Sequence, residues 1–560
     1  MMLILLSWLY ILFTAIAFGI GFIKLFRLQV KDIVITSILG LFSITISASF
    51  FALFGPLNLV FNFILLVFSF VIINKNKEHF FLIFRKVKIQ FIDFLFPIKL
   101  LFILSSVLIL SESATLPFII DNETYYIQTI KWLSEYGFVP GLANLHLFFG
   151  QTSGWHIAQS VYSFSFLYNR FNDLNGCCFI VVNYWAFQKL HSYFLSNNRL
   201  DLVFGLLPLS YVFLFQFISA PSPDFPVYVF GIILFSLYLE REDFIIISAI
   251  SVFLVYIKIT TIVLLLLPLL LLFKNYKELK NRLASYSIIG GVTLITLLLK
   301  NSILTGYPLF PLTFIALPEI NYAVPKEIMS FFFSQDMMHS FYIPFGTLEN
   351  ASIIEILKKY FFSNEIDSII GIATLFIVII SPFVILKKYK KQNVKSIYFV
   401  FILLLALLVY SSPQYRFYVY FTIFFVLLLL ASLLNNKKVI LGFLSISLTL
   451  VAILIFVPMS FSNLTNNKSL ATNNTFNLRN CLIPEPNSKL NEKYLLLIIG
   501  NMKCYSPNKP IFFWITGNGK LPCVNEEQLN YFETNFNIFP QMRGTNLGDG
   551  FYSQKIIPNE

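Results

Sequence analysis

The sequence predicts an all-α polytopic membrane protein ending in a small C-terminal α+β module. Three observations predict it. Hydrophobic residues make up 57% of the 560 and charged residues only 12%, with a mean hydropathy of +0.76; a soluble domain carries roughly 25% charge. The apolar residues gather in runs that suit a hydrocarbon core of about 30 Å, and lysines crowd the short loops between them. Beyond residue 458 the composition turns polar and rich in Asn, Pro and Gly.

The longer apolar runs are 1–23, 33–54, 57–73, 95–111, 177–195, 202–219, 284–299, 367–386, 396–411, 417–434 and 439–458, with shorter ones at 225–239, 244–257 and 259–273. No basic residue precedes the first run and no small-residue cleavage pattern follows it, so it reads as a span. Five basic loops fix the expected orientation. They are Lys24/Arg27/Lys31, Lys75 to Lys88, Lys274 to Arg282, Lys387 to Lys395, and Lys437-Lys438. About fourteen spans place all five inside and both termini outside. The loops 112–176 and 300–366 and the tail then face outward. Lysines placed this way account for the net charge of +12 without a nucleic-acid partner.

The stretch 244–273 decides the parity. Read as one helix it puts Lys258 near mid-bilayer, at roughly 2.5–3.5 kcal/mol. Read as two short helices meeting at Lys258-Ile259-Thr260-Thr261, it carries the ammonium to the outer rim and keeps the orientation, and this reading is preferred.

The expected organisation is a transmembrane domain at 1–458, a polar linker at 459–479 and an extracytoplasmic module at 480–560. Strand-like runs at Tyr494–Ile499 and 510–516, and paired turn signals around Gly517 and Gly519, mark the module. Its cysteines, Cys481, Cys504 and Cys523, are odd in number and match no metal spacing, so at most one intrachain disulfide forms among them. Cys177 and Cys178 sit in an apolar run as small buried side chains.

Candidate chemistry begins at Asp121-Asn122-Glu123, where the chain leaves a span. Tyr126, Ile127, Ile130 and Leu133 share a helical face and Gly137 ends it. Asp121 is thus a helix N-cap with Glu123 a first-turn acid, or Asp121 is a general base and Glu123 a ligand for a divalent cation (Mg2+ or Mn2+) or for an acceptor. The same loop holds Trp132, His146, Trp155 and His156. The tryptophans suit an interfacial belt or a sugar-stacking platform, and the histidines suit packing or a substrate contact.

A phosphate leaving group needs cations. Lys258, Lys300 and Arg416 fall on the outer side; Arg416 suits bidentate phosphate binding or lipid-headgroup contact. Asp224, after Ser222-Pro223, starts another outer helix as a cap or a substrate ligand. No phosphate-binding Gly-rich loop, serine-nucleophile elbow or Cys/His zinc pattern is present.

The run from Asp121 to Tyr126, with Trp132, Gly137, Val139 to Leu142, Asn144 to His146, Ser153 and Trp155, resembles a family of uncharacterised bacterial multi-pass membrane proteins with an Asp-x-Asp/Glu-type motif here. Ser222-Pro223-Asp224, Thr305 to Pro311 and Gly517 to Cys523 resemble it too. More distantly, the layout is similar to the GT-C superfamily of polyprenyl-phosphate-sugar glycosyltransferases. That resemblance implies sugar transfer from a lipid-linked donor to a glycan, lipid or protein acceptor, outside a bacterial inner (cytoplasmic) membrane. In many GT-C enzymes the acids are adjacent; here Asn122 separates them. A polysaccharide polymerase relying on outer-loop arginine, and a lipid-linked glycan flippase or transporter, are the alternatives. Inverted repeats and paired intramembrane charges, the marks of a transporter, are not evident.

Overall fold

The computed structural model describes residues 1–164, 173–315, 320–340, 352–362, 366–390, 392–460, 472–490, 493–508 and 513–555. Parts of the expected loops 112–176 and 300–366, residues 461–471 of the linker and residues 510–512 of the strand-like run 510–516 lie outside the described residues.

The chain is mostly helical. Each of the fourteen apolar runs falls on helical segments. Among the described residues, eight helices are long and apolar enough to cross a membrane, or nine if the bent pair Leu59–Lys75 and Lys77–Asp93 is one span. That pair turns through 90°, and its second helix alternates Lys and Arg with Phe and Ile. These long apolar helices mark a membrane protein. The remaining runs form shorter helices, such as Phe244–Ile257 and Val419–Leu433; fourteen residues reach only about 21 Å.

Helix packing uses small residues where backbones meet. In the pair Met2–Leu25 and Ile33–Ala52, a Cβ on Gly40 would stand 1.7 Å from the Ala15 carbonyl oxygen, and one on Gly19 2.0 Å from that of Thr36. Where lipid is as apolar as the side chains, such close approach supplies the packing energy. Asp32 starts the second helix by accepting from the Val34 and Ile35 N–H groups.

The stretch 244–274 is two short helical segments. Phe244–Ile257 ends at Lys258, whose backbone is extended, and a 3₁₀ stretch, Ile259–Leu265, leads into Leu266–Lys274. The segments pack against each other.

The basic loops are tied to neighbouring segments by polar contacts. His79 bonds the Val30 carbonyl (2.8 Å), Arg282 pairs with Asp243 (3.5 Å), Arg199 donates to the Leu434 carbonyl (2.7 Å) and Lys437 to that of Phe194 (2.7 Å). Ion pairs join the loops around Asp121 and Arg416 and those around Asp224 and Lys258.

Strand β1 (Tyr494–Ile499) coincides with the predicted run and pairs antiparallel with β2 (Met502–Pro507). A second hairpin joins β3 (Ile538–Met542) and β4 (Phe551–Lys555). The helix Glu526–Phe536, capped by Asn525, packs on β3. Of the other strand-like run, the described residues Phe513 to Thr516 form a turn and loop rather than a strand.

Candidate functional site: a cluster of two ion pairs

Asp121 sits where the chain re-enters a helix, but not as a side-chain cap. Residues Asn122–Tyr126 wind as a π turn before the α-helix Ile127–Glu135. A π turn brings residues five apart onto one face. Tyr126 accordingly donates from its hydroxyl to Asp121 Oδ2 (3.4 Å). The same oxygen accepts from Arg416 Nη1 at 2.7 Å. Gln414 Oε1 accepts from Arg416 Nε (2.6 Å), so the guanidinium is held on two sides.

A second ion pair lies beside the first. Lys258 donates to Asp224 Oδ1, and its ammonium stands 4.5 Å from the centroid of the Phe417 ring. Arg416 stands over that ring too, at 5.4 Å. Tyr228, one turn beyond Asp224, donates to the Arg416 carbonyl (3.3 Å) and ties the two pairs together. Asp224 makes no side-chain cap; its N–H donates to Ser222 Oγ (3.3 Å) and its carboxylate is left for Lys258. Asn175 props this loop by donating to the carbonyls of Ala220 (2.7 Å) and Phe217 (2.9 Å) while accepting from Trp155 Nε1 (2.7 Å).

Exposure separates the two pairs. Arg416 and Asp121 keep 32% and 22% of their side chains exposed, against 17% and 5% for Lys258 and Asp224. The outer pair is open to a ligand, with the inner pair behind it. The four charges sum to zero, and Arg416 commits Nε to Gln414 and Nη1 to Asp121.

The other candidate residues stand apart from this pair of pairs. Glu123 is fully buried. Its carboxylate accepts from Ser488 Oγ (2.7 Å), the Lys489 N–H (3.1 Å) and Asn122 Nδ2 (2.9 Å). Burial pushes its carboxyl above the ordinary glutamate range, against the pull of these donors. Lys300 is buried and donates to the Thr152 carbonyl. His146 donates to the Trp514 carbonyl (3.0 Å), and burial pushes its pKa down to about 4. His156 accepts from the Ser153 N–H (3.3 Å) and packs 4.8 Å from Tyr126; burial, then Lys300, brings its pKa down to about 3. Both imidazoles are held neutral. Trp132 and Trp155 are buried within the chain.

Asp121 and Glu123 do not converge on one ion. One faces Arg416, the other the C-terminal module. Among the described residues no group of three or more His, Cys, Asp and Glu side chains is arranged to hold a metal. Both carboxylates of the cluster are already opposed by protein cations. The donor set therefore does not fit a resident Mg2+ or Mn2+.

Tyr126, Tyr228, Gln414, Phe417 and Asn175 are contributors to which the sequence assigned no role in the site. For Tyr126 the five-residue spacing from Asp121 was the available signal; for the others there was none.

A family model described as Domain of unknown function (DUF8201) matches residues 1–423. The chain belongs to this family. The matched region holds Asp121, Asp224, Lys258 and Arg416, while β1 to β4 lie beyond it. No curated protein and no solved structure matches the chain.

Proposed function

We propose that this protein is a membrane glycosyltransferase of GT-C type, with about fourteen spans, in the inner (cytoplasmic) membrane of a bacterium. It moves a sugar from a lipid-linked phosphate donor to a glycan, lipid or protein acceptor. The observation that carries the reading is the cluster itself: two carboxylates and two cations, from four separate loops, with the outermost pair open. Lipid anchors the donor phosphate at the membrane surface, where loops between spans meet it.

The chemistry follows from the charges. The donor phosphate takes Arg416 and Lys258 as partners, Arg416 through its planar fork. That exchange frees Asp121 Oδ2 from Arg416. The freed carboxylate accepts the acceptor hydroxyl's proton as its oxygen bonds to the anomeric carbon. The bond from that carbon to the phosphate oxygen breaks, and the electron pair stays on the phosphate, where the cations stabilise it. Tyr126 holds Asp121 in place, and Asp224 holds Lys258 until donor arrives. No metal enters these steps.

The test is an extracytoplasmic glycan profile of cells carrying Asp121→Asn or Arg416→Ala at matched expression. Loss of the same sugar in both is expected. A wild-type profile with Asp121→Asn overturns the mechanism, and loss with Arg416→Ala alone moves the reading to a polysaccharide polymerase.

A further inference from the structure

The π turn beneath Asp121 has a cause outside the helix. A backbone carbonyl oxygen has two lone pairs. Those of Glu123 are both taken by the C-terminal module, by the N–H groups of Thr516 (3.0 Å) and Gly517 (2.7 Å). In an α-helix the Glu123 carbonyl would accept from Ile127. Here the Ile127 N–H reaches back to Asn122 instead, which is the π step. The next carbonyl, of Thr124, accepts from Thr516 Oγ1 (2.7 Å). Gln128 Nε2, one turn on, donates to the carbonyls of Gly517 (3.0 Å) and Gly519 (2.9 Å).

The Glu123 side chain is gripped from the same direction. Ser488 and Lys489 of the module hold its two oxygens, and Asn122, which completes the set, also donates to the Asn487 carbonyl (2.9 Å). Side chain and carbonyl together fix Glu123 at five points, four of them from the module. Asp121, two residues away, faces Arg416 instead, and Tyr126, three residues away, donates to Asp121.

We infer that Glu123 is a positioning residue, through which the C-terminal module sets the π turn that aims Asp121 at Arg416. The inference rests on the transferase reading only for its consequence in catalysis; the geometric claim stands by itself. It also gives the module a role in the active site that its distance along the chain conceals.

Two readouts on the full-length protein test it. The first is thiol cross-link trapping, with a short bismaleimide in detergent, between cysteines introduced as Asp121→Cys and Arg416→Cys, because an arginine and its carboxylate partner stand too far apart along the backbone for a direct S–S bond. Adding Glu123→Ala is expected to reduce the trapping rate at least about tenfold, and Glu123→Gln, whose amide oxygen still accepts from Ser488 or Lys489, restores most of it. Thr516→Pro removes one of the two N–H groups on the Glu123 carbonyl, and with it the hydroxyl on the Thr124 carbonyl, without touching the charged cluster, and is expected to reproduce the Glu123→Ala defect.

The second readout is the glycan profile with the native Asp121 and Arg416. Glu123→Ala is expected to cut transfer by about 10²-fold, the cost of a misplacement on the order of 1 Å, with Glu123→Gln close to wild type. Trapping at the unmodified rate in both Glu123→Ala and Thr516→Pro overturns the inference. If Glu123→Gln is as inactive as Glu123→Ala, Glu123 acts chemically and the positioning role is wrong. Reduced trapping beside an Asp121→Asn profile identical to wild type leaves the positioning in place and removes the transferase reading.

Discussion

Two surfaces meet on either side of the segment from Asp121 to Tyr126, and they are built in opposite ways. On one side, Arg416, Asp224 and Lys258 surround Asp121 with ion pairs that remain partly open. On the other, the C-terminal module meets the loop mainly through buried hydrogen bonds to main-chain groups. Phe551 N–H donates to the Pro140 carbonyl (2.9 Å), Glu485 N–H to that of Ala114 (3.0 Å), and Lys131 to that of Gly519 (2.6 Å). Charges that must exchange partners need access, whereas a contact that fixes geometry needs directional bonds shielded from water. The two neighbouring acids divide accordingly: Asp121 serves the open surface and Glu123 the closed one.

This contrast is sharpened most by Asp121→Asn. The change keeps shape and removes charge, so transfer falls by about 10²–10⁴-fold, the usual span for a lost general base. Thermal stability of the purified protein stays near wild type, because the ion pair is part-exposed and worth little to folding. A large fall in melting temperature would place Asp121 with the structural surface and break the comparison.

Glu123→Ala is the mirror experiment. It removes the carboxylate that accepts from the part-buried Ser488 hydroxyl and Lys489 N–H, each bond worth about 0.5–1.5 kcal/mol, or more because the acceptor is a carboxylate. Hydrogen exchange at residues 485–490 and 513–520 is expected to speed up, while Asp121→Asn leaves it unchanged. Equal exchange in the two variants would mean that the module does not depend on Glu123.

Acid separates the surfaces by a smaller amount. The two buried histidines have folded pKa values of about 4 and about 3 against an ordinary 6.5. The unfolded chain binds these protons more tightly, so their contribution is complete above pH 6.5 and is lost on acidification. Each histidine removes about 1.4 kcal/mol per pH unit between 6.5 and its folded value. Glu123, whose carboxyl is raised by burial, pulls the other way. Melting curves from pH 7 to 5 for wild type and His146→Gln isolate the histidine: the variant is expected to fall less steeply. A slope unaltered by His146→Gln contradicts a neutral His146 in the contact with Trp514.

Lys555→Ala should do least. Its pair with Glu327 is 2.9 Å long, but both side chains are about half exposed or more, and such pairs contribute roughly 0–1 kcal/mol. A shift in melting temperature as large as that of Glu123→Ala would show that the module is held by its surface charges.

The sequence exposed these two surfaces unequally. The helices were legible because apolar runs and lysine loops report the bilayer directly, and β1 was legible from its apolar run. Gly137 was legible as a terminator; its backbone is at φ +79°, where a Cβ would meet the Gly55 carbonyl oxygen at 2.5 Å. Asp121, Asp224, Lys258 and Arg416 were each legible as loop charges, but their pairing was not: Asp121 and Arg416 are 295 residues apart. The π turn escaped because helical periodicity assumes bonds inside the segment, and here the module supplies the competing ones. The contacts of Glu123 escaped for the same reason. Nothing in its neighbourhood along the chain announces Ser488 or Lys489.

The most direct test of the account compares three strains at matched expression: wild type, a deletion, and Asp121→Asn with its fold verified by melting temperature. The account predicts that the point variant, folded and stable, loses the same surface sugar as the deletion. A deletion that lacks the sugar beside an Asp121→Asn strain that keeps it would contradict the claim that the charged cluster is the catalytic centre.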